Sequence, residues 1–97
     1  MLKTFICPYC STNLGERSFS EECWNCWKKY GIYVFIYYDG TIEMANGTFH
    51  IKMNKNKAVL FAWYDGTCKL IIDNCPLDKS LTPENFEKKV KTYLTFQ

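Results

Sequence analysis

Four of the chain's six cysteines fall in two Cys-x-x-Cys pairs, Cys7-Pro8-Tyr9-Cys10 and Cys23-Trp24-Asn25-Cys26, with twelve residues between them. A two-residue gap lets one tight turn aim two sulfurs at a single point. Twelve residues suffice for a short hairpin or loop that brings the second turn back to the first. Thiolates are soft, charged ligands, and four of them complete the tetrahedral shell of a Zn²⁺ ion with no position left open. A redox dithiol is the rival chemistry of any single Cys-x-x-Cys. Two pairs, with no strand-helix pattern to raise one of them at a helix start, favour zinc and leave a thiol redox protein as a distant alternative. Structural disulfides require a secreted chain, and Met1-Leu2-Lys3-Thr4 runs straight into the first pair without a signal-peptide pattern. A reducing cytoplasm (the host's, if the chain is viral) is the compartment this predicts.

On these two pairs, residues 1–30 resemble the zinc-ribbon (zinc-knuckle) superfamily. The resemblance implies one structural metal ion held by Cys7, Cys10, Cys23 and Cys26, closed to Lewis-acid chemistry. Ribbons bind DNA, RNA and other proteins alike, so it implies no particular target. The sequence departs from the usual knuckle, which commonly has Gly just after its second Cys. Here Ser11 follows Cys10 and Trp27 follows Cys26.

Little else suggests reactivity. No Ser/Cys-His-carboxylate set, cluster of metal-binding acids or Gly-rich phosphate loop is written in the chain, so it reads as non-enzymatic. His50 is the single histidine. Hairpin pairing sets it opposite Glu43, which predicts a cross-strand hydrogen bond. Cys68 is expected in the core and Cys75, before Pro76, in a loop. The formal net charge of +2 is too small to argue for nucleic acid by itself, while the aromatic share of 18% is high. No apolar run approaches membrane-spanning length. A chain of 97 residues buries a modest core, which a metal staple would reinforce.

The elements that must position the cysteines and carry the rest follow from turn chemistry. Residues 31–38, rich in β-branched and aromatic types, read as a strand. Asp39-Gly40, Asn46-Gly47 and Asp65-Gly66 are hairpin dipeptides. Two-residue turns at each pair Phe35 with Met44, Ile42 with Ile51, and Phe61 with Leu70. A three-residue loop over 54–56 sets Ile51 against Val59; a two-residue loop would set it against Leu60. The first choice gives an unbroken apolar face across five antiparallel strands. Thr82-Pro83-Glu84 reads as a helix start, with Phe86, Val90, Tyr93 and Leu94 on one side of the helix as a lid. The expected fold is α+β and mainly β. An N-terminal four-cysteine zinc ribbon (1–30) joins a five-stranded antiparallel meander with one packed C-terminal helix (31–97), as one compact unit.

This register turns Val34, Ile36, Tyr38 and Tyr64 outward with Thr41, Glu43, His50 and Lys52. Such an apolar patch calls for cover, either by the ribbon or by a partner. With Trp27 it predicts a small regulatory or inhibitory factor docking on a protein or nucleoprotein complex, or on a second copy of the chain. Its Lys-, Asn-, Ile- and Tyr-rich composition suits an AT-rich genome such as a phage or mobile element. The alternative is a nucleic-acid-binding ribbon, in which Trp24 and Trp27 stack on bases and Arg17, Lys28, Lys29, Lys52, Lys55 and Lys57 meet phosphates.

Overall fold

The computed structural model describes residues 1–95, leaving aside the side chains of Leu70 and Asn74. The strands are β1 (Lys3–Ile6), β2 (Asn13–Arg17), β3 (Ser20–Glu22), β4 (Tyr33–Tyr37), β5 (Ile42–Ala45), β6 (Phe49–Met53), β7 (Ala58–Tyr64) and β8 (Thr67–Cys75). Helix α1 spans Trp24–Tyr30 and α2 spans Phe86–Thr95. β1 and β2 form a two-stranded hairpin, whereas β3 to β8 form one six-stranded antiparallel sheet in chain order. The five expected meander strands are present, and β3, from the ribbon segment, adds a sixth at the β4 edge.

Loop lengths, which the dipeptides alone did not disclose, decide the two faces of this sheet. At Asp65-Gly66 both residues take positive φ, 52° and 76°, so the turn holds two residues and pairs Tyr64 with Thr67. At Asp39-Gly40 only Gly40 is left-handed, at φ 92°. There Tyr37 N–H donates to Thr41 O at 2.9 Å and Gly40 N–H to Tyr37 O at 3.0 Å, which closes a three-residue loop over Tyr38, Asp39 and Gly40. Val34 therefore faces Met44, and Phe35 faces Glu43. Between β6 and β7 the loop holds two residues, since Asn54 N–H donates to Lys57 O at 3.1 Å; Ile51 meets Leu60, not Val59. The side-chain period of a strand is two, so each one-residue difference exchanges the faces.

The result is a row of core residues, Val34, Met44, Ile51, Leu60 and Ile72, running across β4 to β8. All five are buried. One register shift in the β7–β8 pairing, between Ala62 and Trp63, sets Ile72 in this row. The cover comes from two sides: Phe5 and Leu14 of the β1–β2 hairpin, and Leu81, Phe86, Val90 and Tyr93 from the C-terminal segment. Thr82 and Asn85 cap the start of α2 reciprocally, Asn85 Oδ1 accepting from Thr82 N–H at 2.8 Å and Thr82 Oγ1 from Asn85 N–H at 3.3 Å. Asp78 then accepts from Lys89 Nζ at 3.1 Å and from the Tyr93 hydroxyl at 3.0 Å, which ties α2 to the end of β8. Hydrogen bonds from the Ser80 hydroxyl and N–H foremost, then those from Lys89 and Tyr93, hold its carboxyl well below the usual carboxylate range.

Val34 and Ile36, expected outward, are thus core residues, 0% and 8% exposed. Phe61, expected in the core, is half-buried on the other face. Tyr38 is half-buried beneath the ribbon, against Phe5 at 6.4 Å between ring centroids. Cys75 closes β8 as a buried residue, not a loop thiol, and Cys68 is only half-buried opposite Trp63. The side chain of Leu70 lies outside the described ones.

Candidate metal centre and the open sheet face

The first cysteine pair is the turn of the β1–β2 hairpin. Ser11 N–H donates to Cys7 O at 2.9 Å and Cys7 N–H to Thr12 O at 3.0 Å, which folds the backbone under the sulfurs. The left-handed position that a knuckle usually gives to Gly falls on Ser11, at φ 62°. The second pair is built differently. Cys23 N-caps α1, its Sγ accepting from Cys26 N–H at 3.4 Å, so the residue after Cys26 is helical and needs no Gly. The helix is the feature missed by sequence reasoning: Trp24–Tyr30 is short and rich in aromatics, with weak intrinsic helix preference. Gly31, left-handed at φ 69°, ends it.

The four sulfurs lie within 4.8 Å of one another. Cys7 to Cys26 is 3.7 Å, Cys10 to Cys23 3.6 Å and Cys10 to Cys26 3.8 Å. A tetrahedral ion with Zn–S bonds of about 2.3 Å separates its sulfurs by about 3.8 Å. The donors therefore fit one Zn²⁺, and each measured pair crosses from one knuckle to the other, unlike two separate dithiols. Cys7, Cys23 and Cys26 are fully buried, which suits a structural ion sealed from water. Burial pushes the Cys7 thiol up to about 11 and raises Cys26 strongly, with neighbouring sulfurs adding to both. Burial also raises Cys10, but hydrogen bonds from Thr12 and Asn25 outweigh it and bring that thiol down to about 6. A bound Zn²⁺ would replace those protons and couple folding to metal loading.

Among the described elements, only α1 lies against the sheet's other face, at the β4 end. Along β4 the aliphatic Val34 and Ile36 point inward, and Tyr33, Phe35 and Tyr37 point outward. Trp27 of α1 stacks on Tyr33 at 4.4 Å and 17°, and Tyr33 lies nearly parallel to Phe35, at 6.3 Å and 10°. Phe19 meets Tyr37 edge-on at 5.8 Å. Phe61, Trp63 and Ile71 continue the same face on β7 and β8, with Trp63 44% and Ile71 57% exposed. Glu43 sits at its centre, nearly buried, accepting from Tyr37 and held 2.6 Å from His50 Nε2. The predicted His50–Glu43 contact exists, although the residue directly opposite Glu43 is Lys52.

The cationic side chains do not gather into one stripe. Lys28 and Lys29 are exposed on the last turn of α1, just before β4 begins. Lys55 and Lys57 are exposed at the β6–β7 tip, at the opposite end of the sheet. Lys52 lies beside Glu43 at 3.9 Å, and Arg17 is engaged by Glu21. Trp24 is 59% exposed and Tyr64 45%, the latter at the β7–β8 tip. The aromatic face was legible in principle: residues 33–37 alternate aromatic and aliphatic, and Glu43 and Lys52 mark the side with water. Among the described residues no helix is long and apolar enough to cross a membrane. No protein-family model, curated protein or solved structure matches the chain.

Proposed function

We propose that this is a non-enzymatic, zinc-stapled binding protein that docks on a protein or nucleoprotein partner through the open sheet face. The observation that carries this reading is a row of aromatics on the sheet face away from the core, Tyr33, Phe35, Tyr37 and Phe61 half-buried and Trp63 44% exposed. Apolar rings held in water cost solubility and contribute little to folding; rigid aromatics with few rotatable bonds are the side chains that dominate protein interfaces. The near-neutral charge and the separated lysines favour a protein contact over phosphate recognition.

The test compares the native chain with Trp63→Glu in a zinc-loaded form, each used to capture partners from its native cell. Trp63→Glu should keep its metal and its melting temperature yet lose the captured partner. That association should survive nuclease and moderate salt, since apolar docking lacks the steep salt dependence of phosphate contacts. A variant that keeps every partner would remove the face from consideration. Release by nuclease, or a steep fall with salt, would move the target to nucleic acid.

A further inference from the structure

At one end of the open face the ribbon and the β3–β4 edge enclose a cleft of about 580 Å³. Arg17, Glu21, Glu22, Trp24, Trp27 and Tyr33 line it. Two indoles remain 59% and 46% exposed there, which is unusual for the largest apolar side chains the chain has. Trp27 lies flat on Tyr33, so the wall is a layered, planar platform and not a box of crossed rings. The charge beside it is acidic. Glu21 is satisfied by Arg17, whose hydrogen bond lowers its pKa. Glu22 is half-buried across the strand from Phe35 and has no cationic partner within 4.0 Å among the described residues. Lys28 and Lys29 do not line the cleft.

We propose that this cleft receives an arginine side chain of the protein partner. A guanidinium is planar, so it can lie on the Trp27–Tyr33 platform while its N–H groups reach the Glu22 carboxylate. A lysine ammonium lacks that planar match, and a phosphate would meet an unpaired carboxylate. The inference deepens the docking reading by naming the chemistry of one part of the same partner, and it rests on that reading for its biological occupant.

The chain has three tryptophans, which makes the test direct. Indole N–H signals of the zinc-loaded protein are followed by NMR during titration with acetyl-Gly-Arg-Gly-amide. Trp24 and Trp27 should shift saturably at millimolar peptide, and Trp63, three strands away from β4, should not. The uncharged citrulline peptide and the Glu22→Gln variant should each weaken binding by roughly fivefold. No saturable shift, or equal binding of the citrulline peptide, would overturn the proposal. So would an eight-residue oligothymidine that shifts the same two indoles more strongly than the arginine peptide, with an affinity that falls steeply with salt. Arginine binding that persists while Trp63→Glu retains all partners would break only the docking reading. Its absence while Trp63→Glu loses the partner would break only this one.

Discussion

Both faces of the six-stranded sheet carry large apolar side chains, yet only one faces the buried core. The closed face uses aliphatic residues, Val34, Ile36, Met44, Ile51 and Leu60, under the β1–β2 hairpin and α2. The open face uses rings, which stack on Trp27 and on one another along β4 and stay half-buried. Flexible aliphatic chains fill an interior at crystal-like density. Rigid rings offer a large area that loses little freedom when a partner arrives. Apolar content alone therefore does not tell a core from a docking surface; the kind of apolar residue and what lies above it do.

The comparison breaks most severely if the metal is dispensable. Zn²⁺ on such thiolates is worth on the order of 10–16 kcal/mol at neutral pH, more than a small domain's whole stability. Cys26→Ser, or a strong chelator, should therefore unfold the ribbon and expose the closed face. Circular dichroism with zinc stoichiometry checks this, and folded, metal-free protein would refute it. A pair of adjacent substitutions sharpens the contrast between faces. Leu60→Ala, in the core row, should cost about 2–5 kcal/mol in denaturant unfolding. Phe61→Ala, half-buried on the open face, should cost less, roughly 1 kcal/mol, because most of its ring already meets water or other rings. Equal losses would mean that the open face is covered. The smallest expected effect is a gain. Ser11→Gly relieves a left-handed backbone at an exposed turn and should stabilise the ribbon by roughly 0.5–1 kcal/mol, seen as a raised unfolding midpoint with the open face unchanged.

The metal centre was legible because cysteine spacing constrains geometry directly: two turns, four sulfurs, one tetrahedron. The α2 lid was legible because Thr82, Pro83 and the Phe86, Val90, Tyr93 spacing agree with one another. The faces were harder to read. Asp39-Gly40 and Asp65-Gly66 look alike, but Asp65 enters the left-handed region and Asp39 does not. Hydrophobic pairing misled here, since Phe35 would meet Met44 across a two-residue turn but meets Glu43 in the observed register, while Val34 finds an apolar neighbour in either. Glu43 was the better guide. A carboxylate beside His50 and Lys52 had to mark the side reached by water, and Phe35, directly opposite it, belongs there too. The short α1 escaped notice because its first turn is organised by a cysteine cap, a cue that sequence alone assigns to the metal.

The three-residue loop over Tyr38, Asp39 and Gly40 has a consequence for how such a gene can drift. Its tip is solvent-exposed and polar, the kind of place where insertions and deletions usually accumulate unnoticed. Here the loss or gain of a single codon would turn β4 inside out, setting Tyr33, Phe35 and Tyr37 against the ribbon and Val34 and Ile36 in water. A change of two codons would restore the alternation and pass quietly. Length variation at this tip should therefore come in even steps, so that the loop keeps parity, not sequence.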